Sequence, residues 1–172
     1  MQLLKHAALS ALVLAMAVAT ASAGPKSTDM DFEPDNASSS PPSKDLELAI
    51  KMYDKRDYES ASIEFKKVLA GETQDDAKNK QRAEFFMGKT LYQMGYYAAS
   101  MGYFHNIVKA GENHTYHGAT LKWLAALSRV LPEGSGILDE IGTYDPSALN
   151  DPSLATVKDE LLFLLGKNFY TH

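Results

Sequence analysis

The chain has 172 residues, 45% of them hydrophobic and 23% charged, a balance that suits one globular domain. It contains no cysteine, which excludes disulfides, thiol catalysis, thiolate metal sites and a lipidated N-terminal cysteine. A net charge of −5 argues against nucleic acid and against electrostatic attachment to anionic lipid, both of which call for a basic face.

Residues 1–23 read as an export signal. Lys5 and His6 precede the apolar run Ala7 to Val18, and Ala21-Ser22-Ala23 supply the small residues of a cleavage site before Gly24. The run is shorter than the roughly 20 residues that span a bilayer, and no later segment is apolar enough to cross one. The product is therefore expected outside the cytoplasm, periplasmic or extracellular, and a cysteine-free exported chain suits a bacterial periplasm. Residues 24–43 are dominated by Ser, Pro and Asp with few apolar side chains, the composition of a disordered leader.

From residue 44 the pattern turns helical. Leu46, Ala49, Ile50, Met52 and Tyr53 follow three-and-four spacing, Arg56-Asp57 breaks the run, and Ala61, Phe65, Val68 and Leu69 form the face of a second helix that Gly71 ends. This is an αα-hairpin over about 44–71. A second hairpin is expected over about 74–111. Thr73 to Asp76 start it; Phe85, Met87, Gly88, Leu91 and Tyr92 line its first helix; Met94-Gly95 turns the chain. Tyr97, Met101, Phe104, Ile107 and Val108 line its second helix up to Gly111. A looser unit follows over about 114–150. Its helix runs from about Thr115 to Arg129 and ends before Pro132, and a short helix spans Ile137 to Ile141. Asp145-Pro146 and Asp151-Pro152 each place a capping Asp before a Pro at the first helical position. The last helix is expected from about Pro152 to the end, carrying Leu161, Leu162, Leu164, Leu165, Phe169 and Tyr170.

The helices repeat. Phe85 to Tyr92 and Phe163 to Tyr170 share Phe, Gly, Lys and Tyr at the same offsets. Gly88 and Gly166 stand 78 residues apart, twice the 39 that separate Ala49 from Gly88. A fixed period in this range marks a solenoid. The small residues Ala49, Gly88 and Gly166 midway in a helix, the turn aromatics Tyr58 and Tyr97, and the sequence small–aromatic–apolar in the next helix resemble the tetratricopeptide repeat family. In the first hairpin that sequence is Ala61, Phe65 and Val68; in the second it is Ser100, Phe104 and Ile107. The likeness covers residues 44–111 and part of the last helix, and lapses between 112 and 151. The period exceeds the family's 34. The resemblance implies an all-α, right-handed solenoid of antiparallel helix hairpins, in which these residues pack repeat against repeat.

Motifs for catalysis are missing. His114 and His117 near Glu112 have the spacing of a weak metal motif, but no fourth ligand is visible, and a polar loop explains them. Gly134-Ser135-Gly136 lacks the lysine and context of a phosphate loop. No cofactor and no enzymatic activity are expected. Tyr53, Tyr92 and Tyr170 each follow the small motif residue by four positions, and Lys89 and Lys167 follow it by one. The resemblance implies that these five side chains line a concave groove, where they would receive an acidic peptide segment of another protein; packing between repeats is the alternative.

The leading expectation is thus an exported, non-catalytic scaffold that binds another protein. Two others stand beside it: a ligand-binding or enzyme-associated module with a pocket in 112–151 lined by Tyr116 and Trp123, and a structural unit that self-associates through the last helix. That helix stops at His172 with apolar residues uncovered. Further repeats, the segments of 133–151, or a second chain are the candidates to cover it.

Overall fold

The first helix, α1 (Lys44–Asp54), starts where Ser43 turns its hydroxyl back to the backbone N–H of Leu46. The structure, a computed structural model, describes residues 40–172. The expected signal and all but the last four residues of the leader lie outside the described residues. Those four are tied down. Ser40 donates from its backbone and its hydroxyl to Asp76, and Ser43 donates likewise to Asp75. Asn79 reaches back to the carbonyl of Ser40 at 3.2 Å. The flexible stretch expected to reach Ser43 therefore yields to order by Ser40, because two carboxylates at the head of the third helix satisfy its polar groups.

The next elements are α2 (Tyr58–Ala70), α3 (Ala77–Gln93), α4 (Tyr97–Ala110), α5 (His117–Ser128), α6 (Ile137–Gly142) and α7 (Lys158–Thr171). Three single 3-10 turns, at Gly111–Asn113, Pro146–Asn150 and Pro152–Leu154, complete the described residues, which contain no strand. The expected helix from Pro152 is interrupted. Asp151 caps only one 3-10 turn, Leu154 is buried by it, and helix resumes at Lys158.

Both expected hairpins form, α1 with α2 and α3 with α4, and their turns are built alike. In the first, Arg56 N–H bonds to the Tyr53 carbonyl and Asp57 N–H to that of Met52. In the second, Gly95 and Tyr96 bond to Tyr92 and Leu91. Both turns need a left-handed residue. Gly95 supplies it at φ 80°, whereas Arg56 adopts φ 63° with a side chain. Each helix then packs mainly on its sequence neighbours, α2 on α3, α4 on α5, α5 on α6 and α6 on α7.

The small-residue positions of the first two hairpins are where helices touch. A Cβ on Gly88 would lie 2.8 Å from the Phe104 ring, so α3 and α4 can approach only because residue 88 is glycine. Ser100 donates to the Gly88 carbonyl at 2.8 Å across the same crossing. Ala49, Ala61, Phe65, Ser100 and Phe104 are fully buried. Tyr58 and Tyr97, half-buried in the turns, meet Tyr53 and Tyr92 edge-on at 5.4 and 5.3 Å. Gly166 breaks the pattern: nothing lies within 4 Å of where its Cβ would be, so it is not a packing position. Helix α5 is buried from Ala119 through Leu127 and forms the centre of the core.

Candidate functional site

The five groove residues expected from the repeat do not share a surface. Lys89 is 1% exposed. Its ammonium lies 4.1 Å from the ring centroid of Phe86, 4.7 Å from Tyr53, 5.6 Å from Phe85 and 5.8 Å from Trp123. It is a core cation faced by aromatic rings, not a lysine offered to a partner. The physical reason is that α3 is covered twice, by α1 and α2 on one side and by α4 and α5 on the other. Tyr53 is buried in the same cluster, edge-on to Phe86 at 5.2 Å. Tyr92 is half-buried against Trp123 at 5.3 Å, and burial pushes its hydroxyl pKa up. The bland alternative, packing between repeats, describes all three.

Lys167 and Tyr170 behave differently. Lys167 pairs with Glu133 at 2.7 Å, and that bond holds the Glu133 carboxyl below its ordinary value. Tyr170 is 93% exposed. Helix α7 carries the same Phe-x-x-Gly-Lys-x-x-Tyr order as α3, yet only one of its faces is covered. Leu161, Leu164 and Leu165 are buried, with α6, α5 and the 146–150 turn packed on the helix. The segments between 133 and 151 thus do cover the last helix, on that face. The other face carries Leu162, Phe163, Phe169 and Tyr170, which are 48%, 70%, 66% and 93% exposed, around the open Gly166. Positions 162, 163, 166, 169 and 170 recur at three-and-four spacing and so form one stripe. Phe163 is the member that the repeat motif does not mark as surface. Its counterpart Phe85 is fully buried, because α3 is packed on both sides by other helices and α7 on one side only among the described residues.

Tyr116 and Trp123, expected to line a pocket in 112–151, fill the core instead. Tyr116 stacks on Phe85 at 4.6 Å and Trp123 on Phe104 at 5.9 Å. Within that segment a cleft of about 430 Å³ lies between residues 131–138 and the end of α7, walled by Leu131, Pro132, Ile137, Leu138 and Leu164. The buried hydroxyl of Ser135 has no hydrogen-bond partner there.

The two histidines of the weak metal motif have separate employment. The buried His114 accepts the Tyr116 N–H at Nδ1, which puts its own proton on Nε2, 3.5 Å from Glu84. His117 stacks on Tyr144 at 4.3 Å, and burial lowers its pKa. Tyr144 donates its hydroxyl to the His117 carbonyl at 2.8 Å, and burial raises the pKa of that hydroxyl strongly. Among the described residues no group of three or more His, Asp or Glu is placed to hold a metal. No helix of the described residues is long and apolar enough to cross a membrane. No family model matches this chain, and no curated protein and no solved structure matches it either.

Proposed function

We propose that the protein is an exported, non-catalytic interaction scaffold of tetratricopeptide-like helix pairs, and that its docking surface is the outer face of α7. The observation that carries this reading is the exposed stripe of Leu162, Phe163, Phe169 and Tyr170 around Gly166. Four large apolar side chains clustered on one helix leave on the order of 500 Å² of apolar surface open to water, at the upper end of what a monomer tolerates without using it. In α3 the same motif is covered by a helix that sets Phe104 against Gly88, so the stripe is the kind of face that this chain itself covers with a helix.

The contact is therefore helix against helix, centred on the open space at Gly166. The acidic-peptide groove is not part of the reading, since Tyr53 and Lys89 are interior. A photo-crosslinking amino acid at position 163, in the cells that make the protein, tests it. Adducts are expected at 163 and not at Ile63, an exposed apolar residue of α2 outside any stripe. Equal yields at 163 and 63 would refute the docking role of α7.

A further inference from the structure

We infer that the α7 stripe is self-complementary and that its occupant is the α7 of a second copy of this chain, lying antiparallel across a two-fold axis at Gly166. The inference rests on the docking face proposed above and names what sits on it.

Helix register is the first argument. Relative to Gly166, Leu162 and Phe163 lie four and three residues before, and Phe169 and Tyr170 three and four residues after. A two-fold axis perpendicular to an antiparallel pair reverses the direction along the helix but keeps each flank facing its own kind. Phe163 and Tyr170 share one flank of the stripe, and Leu162 and Phe169 share the other, at about 100° per residue. Phe163 of one copy therefore meets Tyr170 of the other, Leu162 meets Phe169, and each contact occurs twice. Offsets of three against four bring the paired residues level to within one residue's rise, about 1.5 Å. Gly166 lies at the axis, where open space allows the two backbones to approach. The helix thus supplies both the notch and the aromatics that fill its rim.

The area agrees. Roughly 500 Å² per copy gives about 1,000 Å² in total, the lower bound of a specific interface, so the dimer should be weak, with a Kd on the order of 10 μM. The two α7 helices run antiparallel in this arrangement. Opposed helix dipoles favour that orientation.

The chain has no cysteine, so single-cysteine variants report the register without interference. Protein isolated as its cells produce it is examined as Phe163→Cys, as Tyr170→Cys and as their mixture, under mild oxidation. The two-fold at Gly166 predicts disulfide-linked dimers in the mixture at ten times or more the rate of either variant alone, because two copies of residue 163 lie about 9 Å apart along the axis. Sedimentation of the unaltered protein should show a mass that rises towards twice the monomer with concentration. Phe163→Glu and, independently, Gly166→Leu should raise the Kd about a hundredfold; both positions are exposed, so the melting temperature of the monomer should be kept by the first and raised by the second, which removes a glycine from a helix. A monomer at every concentration overturns the inference, as does a dimer indifferent to both variants. Photo-adducts at 163 to a different protein alone would overturn the second copy and leave the docking face standing.

Discussion

The same residue type does opposite work at two places in this chain. Gly88 is required because the Phe104 ring occupies the space of a Cβ, and Gly166 is not, because nothing faces it. Gly88→Ala should destabilise the fold by about 1–3 kcal/mol through overpacking. Gly166→Ala should stabilise the monomer by about 0.5–1 kcal/mol, the ordinary gain in a helix interior. Chemical denaturation of the two variants reads both signs. Arg56 is the converse, a side chain in a left-handed position that Gly95 fills in the sister turn. Arg56→Gly should add about 1 kcal/mol to stability. His117 carries a pH dependence. Burial against Tyr144 lowers its pKa below the ordinary 6.5, so the unfolded chain takes up the proton first. Stability should be unaffected by this group above pH 6.5 and should fall as pH drops through 6.5 towards the folded value. Melting curves between pH 7.5 and 5.5 check this, and His117→Phe should flatten the change.

At the scale of elements, helix identity was legible and helix exposure was not. Three-and-four spacing marks α1 to α4 in the sequence, and within the expected helix start at Thr73 to Asp76 it is Asp76 that caps α3; Ser43 and Asp57 cap α1 and α2, which the sequence reading did not single out. The break at 152–157 was hidden, because Asp-Pro starts a 3-10 turn as readily as an α-helix. Lys89 and Lys167 stand at the same motif position, yet one is enclosed by aromatic rings and the other pairs with Glu133 at the surface. Periodicity gives the face of a helix, and only the number of neighbours decides whether that face is wet. Lys89→Glu is accordingly a folding variant, not a binding one. A carboxylate against the faces of Phe86 and Tyr53 should cost several kcal/mol, about what a buried unpaired charge loses, and circular dichroism would show it. Asp75 links the start of α1 to that of α3. Its burial alone would raise its pKa, but hydrogen bonds from Ser43 and Thr73 outweigh that and the net shift is downward. Its contribution is present above the ordinary 3.8 and is lost as pH falls through the lower folded value. Asp75→Ala should destabilise by about 1–3 kcal/mol and free residues 40–43 to fast hydrogen exchange.

Among the described residues the core is continuous from Leu46 to Leu165, and the outer face of α7 leaves four large apolar side chains exposed. Successive packing of α1 through α7 leaves α7 covered on one side only among the described residues. The other side carries three exposed aromatic residues, and association is the economical account of that surface. Radical footprinting of Phe163, Phe169 and Tyr170 tests it most directly, comparing the dilute purified protein with the protein in its own cells. The account predicts heavy labelling of all three in dilution and strong protection in cells, with Tyr96, exposed on the second hairpin's turn, labelled equally in both. Equal labelling of the α7 residues in both states would contradict it.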